Sequence, residues 1–105
     1  MAIVEVTVIP IGTATTSLSG YVADLHRLLE EAPEAIRFEM TSMSTIIDGE
    51  LDDLLQVIRR LHEAPFSQGA SRVSTSIKID DRRDKAASME QKLRSVQEKL
   101  DNRSL

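Results

Sequence analysis

The spacing of the apolar residues switches from strand-like to helical inside the segment 37–61, RFEMTSMSTIIDGELDDLLQVIRRL, and that switch constrains the fold more than any other feature. Phe38-Glu39-Met40-Thr41 alternates apolar and polar side chains, so Phe38 and Met40 share one face of a strand. Ser42-Met43-Ser44 reverses the chain, Thr45-Ile46-Ile47 is β-branched as strands favour, and Asp48-Gly49 suits a turn that ends the strand. From Leu51 onward, Leu51, Leu54, Leu55, Ile58 and Leu61 fall on one helical stripe. Glu50, Asp52 and Asp53 lie at the positive end of that helix, and Arg59, Arg60 and His62 lie near its negative end. A hairpin leading directly into an amphipathic helix is the expectation.

The flanking segments read as partners for this unit. Ala2 to Ile9 alternates, with Val4, Val6 and Val8 on one side and Ile3, Glu5, Thr7 and Ile9 on the other. Pro10 to Thr16 is a loop that lacks the glycine pattern and lysine of a phosphate loop. Ser17 or a neighbouring threonine is expected to cap a helix whose stripe is Leu18, Val22, Leu25 and Leu29, with His26 packing beside it. Ala32-Pro33 closes that helix. The segment His62-Glu63-Ala64-Pro65-Phe66 begins like a zinc-protease motif but has no second histidine, and Pro65 is expected to stop the second helix before a turn at Gly69. Ser71 to Asp80 alternates again as a fourth strand. Ala86, Met89, Leu93, Val96 and Leu100 then recur at spacings of three and four, a helical seam over about 83–100 that must lie on this domain or on another subunit.

The order βαββαβ plus a C-terminal helix predicts an α+β, ferredoxin-like sandwich forming a single domain over residues 1–105. Its helices are expected to cover Val4, Val6, Val8, Phe38, Met40, Ile77 and Ile79. The other sheet face would carry Glu5, Thr7, Glu39, Thr41, Thr45, Ser74, Ser76 and Lys78 with Ile3 and Ile9. That mixture suits a subunit interface enclosing a wet cavity, a place for a small polar ligand.

Several chemistries are excluded on residues. With no cysteine, thiolate catalysis and cysteine zinc sites are absent. A net charge of -4 with interleaved basic residues argues against a nucleic-acid grip, and the sheet lacks aromatics for base stacking. No apolar run approaches a membrane span and the first residues lack a basic leader, so a cytoplasmic protein with no membrane partner is expected. A metal site from Asp80, Asp81 and Asp84 would compete with Arg82 and Arg83. Neither histidine has a neighbouring serine or threonine in the sequence, so binding without catalysis or a cofactor is expected.

VEVTVIPIGT, FEMTSMSTIIDGELDDLLQVI, HEAPF and IKIDDRRDK occur in an order that resembles the small thiamine-binding (YkoF-like) family from Ala2 to about Leu100. The resemblance implies a ferredoxin-like subunit, assembly into dimers or tetramers through the sheets, and binding of thiamine or its hydroxymethylpyrimidine half without catalysis. Carried onto this chain, it points to Glu39, Thr41, Ser42, Met43, Ser44, Thr45 and Glu50 as ligand-binding residues. Glu39 with Thr41 or Thr45 would pair with an aminopyrimidine, and Met43 would lie against its ring. The alternative is a regulatory or scaffold module whose sheet serves only subunit contact.

Overall fold

The computed structural model describes residues 1–13, 18–84 and 89–103. Strand β1 (Ala2–Pro10), helix α1 (Ser19–Glu31), strands β2 (Arg37–Met40) and β3 (Thr45–Gly49), helix α2 (Leu51–Ser67), strand β4 (Val73–Asp81) and helix α3 (Met89–Arg103) follow one another. The strands form one antiparallel sheet in the order β2-β3-β1-β4, the ferredoxin-like arrangement expected from the sequence.

The register fixes both faces. Val4 stands beside Ile47 and Ile79, Ile47 beside Phe38, and Val6 beside Thr45 and Ile77. This face is covered by α1 and α2 through Leu25, Leu29, Leu54, Val57, Ile58 and Leu61, which close the core over Val4, Val6 and Ile47. Gly49 is needed where the chain enters this core. A Cβ there would lie 3.1 Å from the Ala35 carbonyl oxygen and 3.2 Å from Ile36 Cγ2.

The structure corrects several local expectations. Val22 is exposed and Leu28 packs on the core in its place, so the buried stripe of α1 is rotated toward Leu25, Leu28 and Leu29. The capping expectation at Ser17, the seam residue Ala86 and the side chain of Met89 lie outside the described residues. Asp48 and Gly49 continue β3 instead of ending it. Pro65 does not stop α2: it is buried inside the last turn, and the helix runs on to Ser67. Its carbonyl accepts from the Gln68 and Ala70 amides, and Gly69 at φ +98° makes the turn.

Ile77 and Ile79 do lie on the helix side of the sheet, as the alternation predicts, but they remain 47% and 45% exposed. Strand β4 is the sheet edge, and the helices centre on β1 and β3. Helix α2 does reach this edge: His62 Nδ1 and Thr75 Oγ1 share a 2.7 Å hydrogen bond.

Candidate functional site

The uncovered sheet face is laid out in rows. Carrying the register outward places Thr41, Ser44, Thr7 and Ser76 in one row, and Glu39, Ile46, Glu5 and Lys78 in the next. Arg37, Asp48, Ile3 and Asp80 form the third. Each row steps one strand at a time, about 4.8 Å, so the Glu39 and Glu5 backbones flank Ile46 about 10 Å apart.

The β2–β3 turn overhangs the first row. Thr41 Oγ1 accepts from the Met43 amide at 3.2 Å and the Ser44 amide at 3.0 Å, and donates to the Ser44 carbonyl at 2.9 Å. The Thr41 amide donates to the same carbonyl at 2.8 Å. A threonine side chain thus satisfies the turn backbone and holds it in one shape. Met43 is thrust out at 82% exposure, and Thr7 Oγ1 reaches the Met43 carbonyl at 3.5 Å, the outer limit of a hydrogen bond.

These contacts sort the residues singled out from the sequence. Glu39 is exposed on the open face, in the row adjoining Thr41 and Ser44; Ser42 and Met43 form the turn between those two. Thr41 spends its hydroxyl on the turn and serves as a scaffold rather than a free partner for Glu39. Thr45 stands on the other side of the sheet, buried between Met40 and Val6, because alternation carries it to the helix face. Glu50 follows the opposite end of β3 and lines a groove with Met1, Leu51, Asp52 and Asp81 to Arg83. The turn therefore gathers Glu39, Ser42, Met43 and Ser44 and leaves Thr45 and Glu50 apart. Sequence reading missed Ile46 as an open-face residue; its place between Glu39 and Glu5 was available from strict alternation across the hairpin.

A second concavity touches the same turn from the helix side. It encloses 420 Å³ between α1 and β2, lined by Val22, Ala23, His26, Arg27, Glu30, Met40 and Thr41. His26 does not pack into the core but lies half exposed here, 2.6 Å from Glu30, 3.0 Å from Met40 Sδ and edge-on to Phe38.

The acidic run that ends β4 and follows it, Asp80, Asp81 and Asp84, is neutralised from within the chain. Arg83 pairs with Asp81, Arg82 with Asp84, and Lys92 with Asp80. The hydrogen bonds to Asp84 and Asp81 raise the pKa of Arg82 and Arg83 further. No cluster of three or more metal-ligating side chains occurs among the described residues. None of the described helices is long and apolar enough to cross a membrane.

Comparison with known proteins places the chain in a family. A family described as thiamine-binding protein matches residues 4–97. The chain belongs to that thiamine-binding protein family. It is 53% identical over 102 residues to the YqgV protein of Bacillus subtilis, covering 95% of this chain and 98% of that one. It is 43% identical to a Methanothermobacter thermautotrophicus relative, covering 95% and 100%. Among solved structures, the MJ1052 protein of Methanocaldococcus jannaschii superimposes with a TM-score of 0.80 at 31% identity, covering 92% of this chain and 96% of that one. A thiamine biosynthesis/salvage protein of Thermotoga maritima shares the fold, with a TM-score of 0.72 at 17% identity and coverage of 90% and 97%.

Proposed function

We propose that this member of the thiamine-binding protein family is a non-enzymatic binding protein for thiamine or its hydroxymethylpyrimidine moiety, acting through the open sheet face of a homo-oligomer. The observation that carries the reading is the Thr41-locked turn. A turn held by its own side-chain hydrogen bonds presents Ser42, Met43 and Ser44 beside Glu39 without further ordering, which lowers the entropic cost of binding. The Glu39 carboxylate is an acceptor for an aminopyrimidine amine, and Ser44 lies in the neighbouring row as donor and acceptor. Ile46 and the Met43 thioether supply apolar contact for the ring.

The face is open in one chain, and a ligand pocket normally surrounds most of its occupant. A second copy laid over the same face would supply the missing wall. The Thermotoga protein's association with thiamine metabolism accords with this ligand class.

The test is a thermal-shift titration at fixed protein concentration with thiamine, hydroxymethylpyrimidine and thiamine phosphates. Ligand at a hundred times its Kd stabilises by about 2.7 kcal/mol, a shift of several degrees for a chain of this size. Glu39→Gln is expected to reduce the shift by the equivalent of tenfold or more in affinity. No shift at saturating ligand would favour a scaffold module instead, and an unchanged Glu39→Gln titration would move the site elsewhere.

A further inference from the structure

Strand β1 is an inner strand, paired with β3 on one side and β4 on the other, and Glu5 is the one charged residue along it. Inner strands disfavour glutamate, which packs poorly on a pleated surface and resists burial. Glu5 nevertheless stands in the open face, exposed between the half-buried Ile3 and Thr7.

Charge is spread unevenly over the three rows of this face. The row of Thr41, Ser44, Thr7 and Ser76 carries none. In the row of Arg37, Asp48, Ile3 and Asp80, Arg37 stands opposite Asp48, and Asp80 pairs with Lys92. The row between them holds Glu39, Ile46, Glu5 and Lys78, two carboxylates against one ammonium, which leaves a surplus of one negative charge. None of these three charged groups has an ion-pair partner among the described residues.

Position within the row matters as much as the total. Ile46 has Glu39 one strand away on one side and Glu5 one strand away on the other, about 4.8 Å each, whereas Lys78 lies two strands off at about 10 Å. A ligand lying on Ile46 therefore has a carboxylate at each end, and the lysine stands beyond the second of them.

Thiamine has two rings joined by one carbon: an aminopyrimidine, and a thiazolium whose quaternary nitrogen is a permanent cation. We propose that Glu5 is the specificity-determining residue of this face, its carboxylate holding the thiazolium across Ile46 from Glu39, so that thiamine is taken in preference to hydroxymethylpyrimidine and to thiamine phosphates. The inference rests on the reading of the open face as the ligand site. With the amine at Glu39, the second ring extends over Ile46 toward Glu5, and its charge cancels the surplus of the row. Hydroxymethylpyrimidine lacks the second ring and leaves Glu5 uncompensated in an enclosed site, which is costly. A phosphate ester brings further negative charge to a row that already has too much.

Calorimetric titration of the full chain with thiamine, hydroxymethylpyrimidine and thiamine monophosphate tests the assignment. Thiamine is expected to bind the wild-type protein about tenfold more tightly than either of the others. Its affinity is expected to fall as sodium chloride is raised, while that of hydroxymethylpyrimidine holds. Glu5→Gln is expected to lower the ratio of thiamine affinity to hydroxymethylpyrimidine affinity about tenfold, whereas Glu39→Gln lowers both affinities together. A ratio unchanged by Glu5→Gln, or thiamine binding indifferent to salt, would overturn the role of Glu5 and leave the open-face site standing. Tightest binding of the monophosphate, lost in Lys78→Gln, would overturn it in favour of a phosphate subsite. Binding of none of the three to the wild-type chain would remove the site and the inference together.

Discussion

Strands β3 and β4 both pair with β1, and both carry β-branched residues in alternation, yet their fates differ. On the helix side of β3, Thr45, Ile47 and Gly49 are all buried; in β4, only Val73 and Thr75 on that same side are even partly buried. The difference does not lie in the pattern of either strand. It lies in position: β3 is flanked on both sides and roofed by α1 and α2, whereas β4 is an edge beyond the roof. Periodicity reports which face a side chain occupies, and layer packing decides whether that face is covered.

The largest effect expected from this contrast is in the roof itself. Leu54→Ala removes a fully buried side chain and is expected to cost about 2–5 kcal/mol in denaturant unfolding. Ile79→Ala at the edge should cost about 1 kcal/mol in the isolated subunit, because half of the side chain already meets water. Equal losses at both positions would dissolve the comparison.

Gly49→Ala sharpens it at the entry to α2. The added methyl meets the Ala35 carbonyl and Ile36, so a loss of about 1–3 kcal/mol is expected from overpacking, read as a lower denaturation midpoint with unchanged slope. Thr75→Val removes a hydrogen bond between α2 and β4 side chains, and about 1 kcal/mol should go with it. The same change should speed amide exchange along β4 more than along β3.

The smallest effect is electrostatic. Glu34, before β2, accepts two hydrogen bonds from the Arg60 guanidinium, one of them 3.0 Å long, and this lowers its pKa. Its folded value lies below the unfolded one, so the pair stabilises above the ordinary glutamate pKa of about 4.3 and the contribution fades as pH falls through the lowered value. Glu34→Gln should flatten the acid limb of a stability–pH profile and leave alkaline behaviour unchanged.

The alternation of β1, β2 and β4 was legible because it is a local period, and the strand order followed from the element sequence; of the α2 stripe, Leu54, Ile58 and Leu61 are buried as expected, whereas Leu55 is 45% exposed and Val57 is buried in its stead. The end of α2 was not legible. Pro65 reads as a stop, yet it sits in the final turn, where its missing amide disturbs little and its ring is buried in the core. Thr45 was misplaced because the hairpin residues were grouped by nearness along the chain, whereas alternation sends alternate residues to opposite faces. The bond between His62 and Thr75, 13 residues apart, carries no local signal at all. Of the residues proposed from the family resemblance, those at the turn are gathered by its geometry. Glu50 belongs to the far end of the strand.

The central claim is that ligand binds on the open face at the Thr41 turn, and amide chemical shifts of the labelled protein titrated with thiamine test it most directly. The account expects perturbations at Glu39 to Ile46 and at Glu5 and Thr7 across the sheet, with little change along α1. Perturbations centred on Val22 to Glu30 and Met40 would place the ligand in the helix-side groove and contradict it.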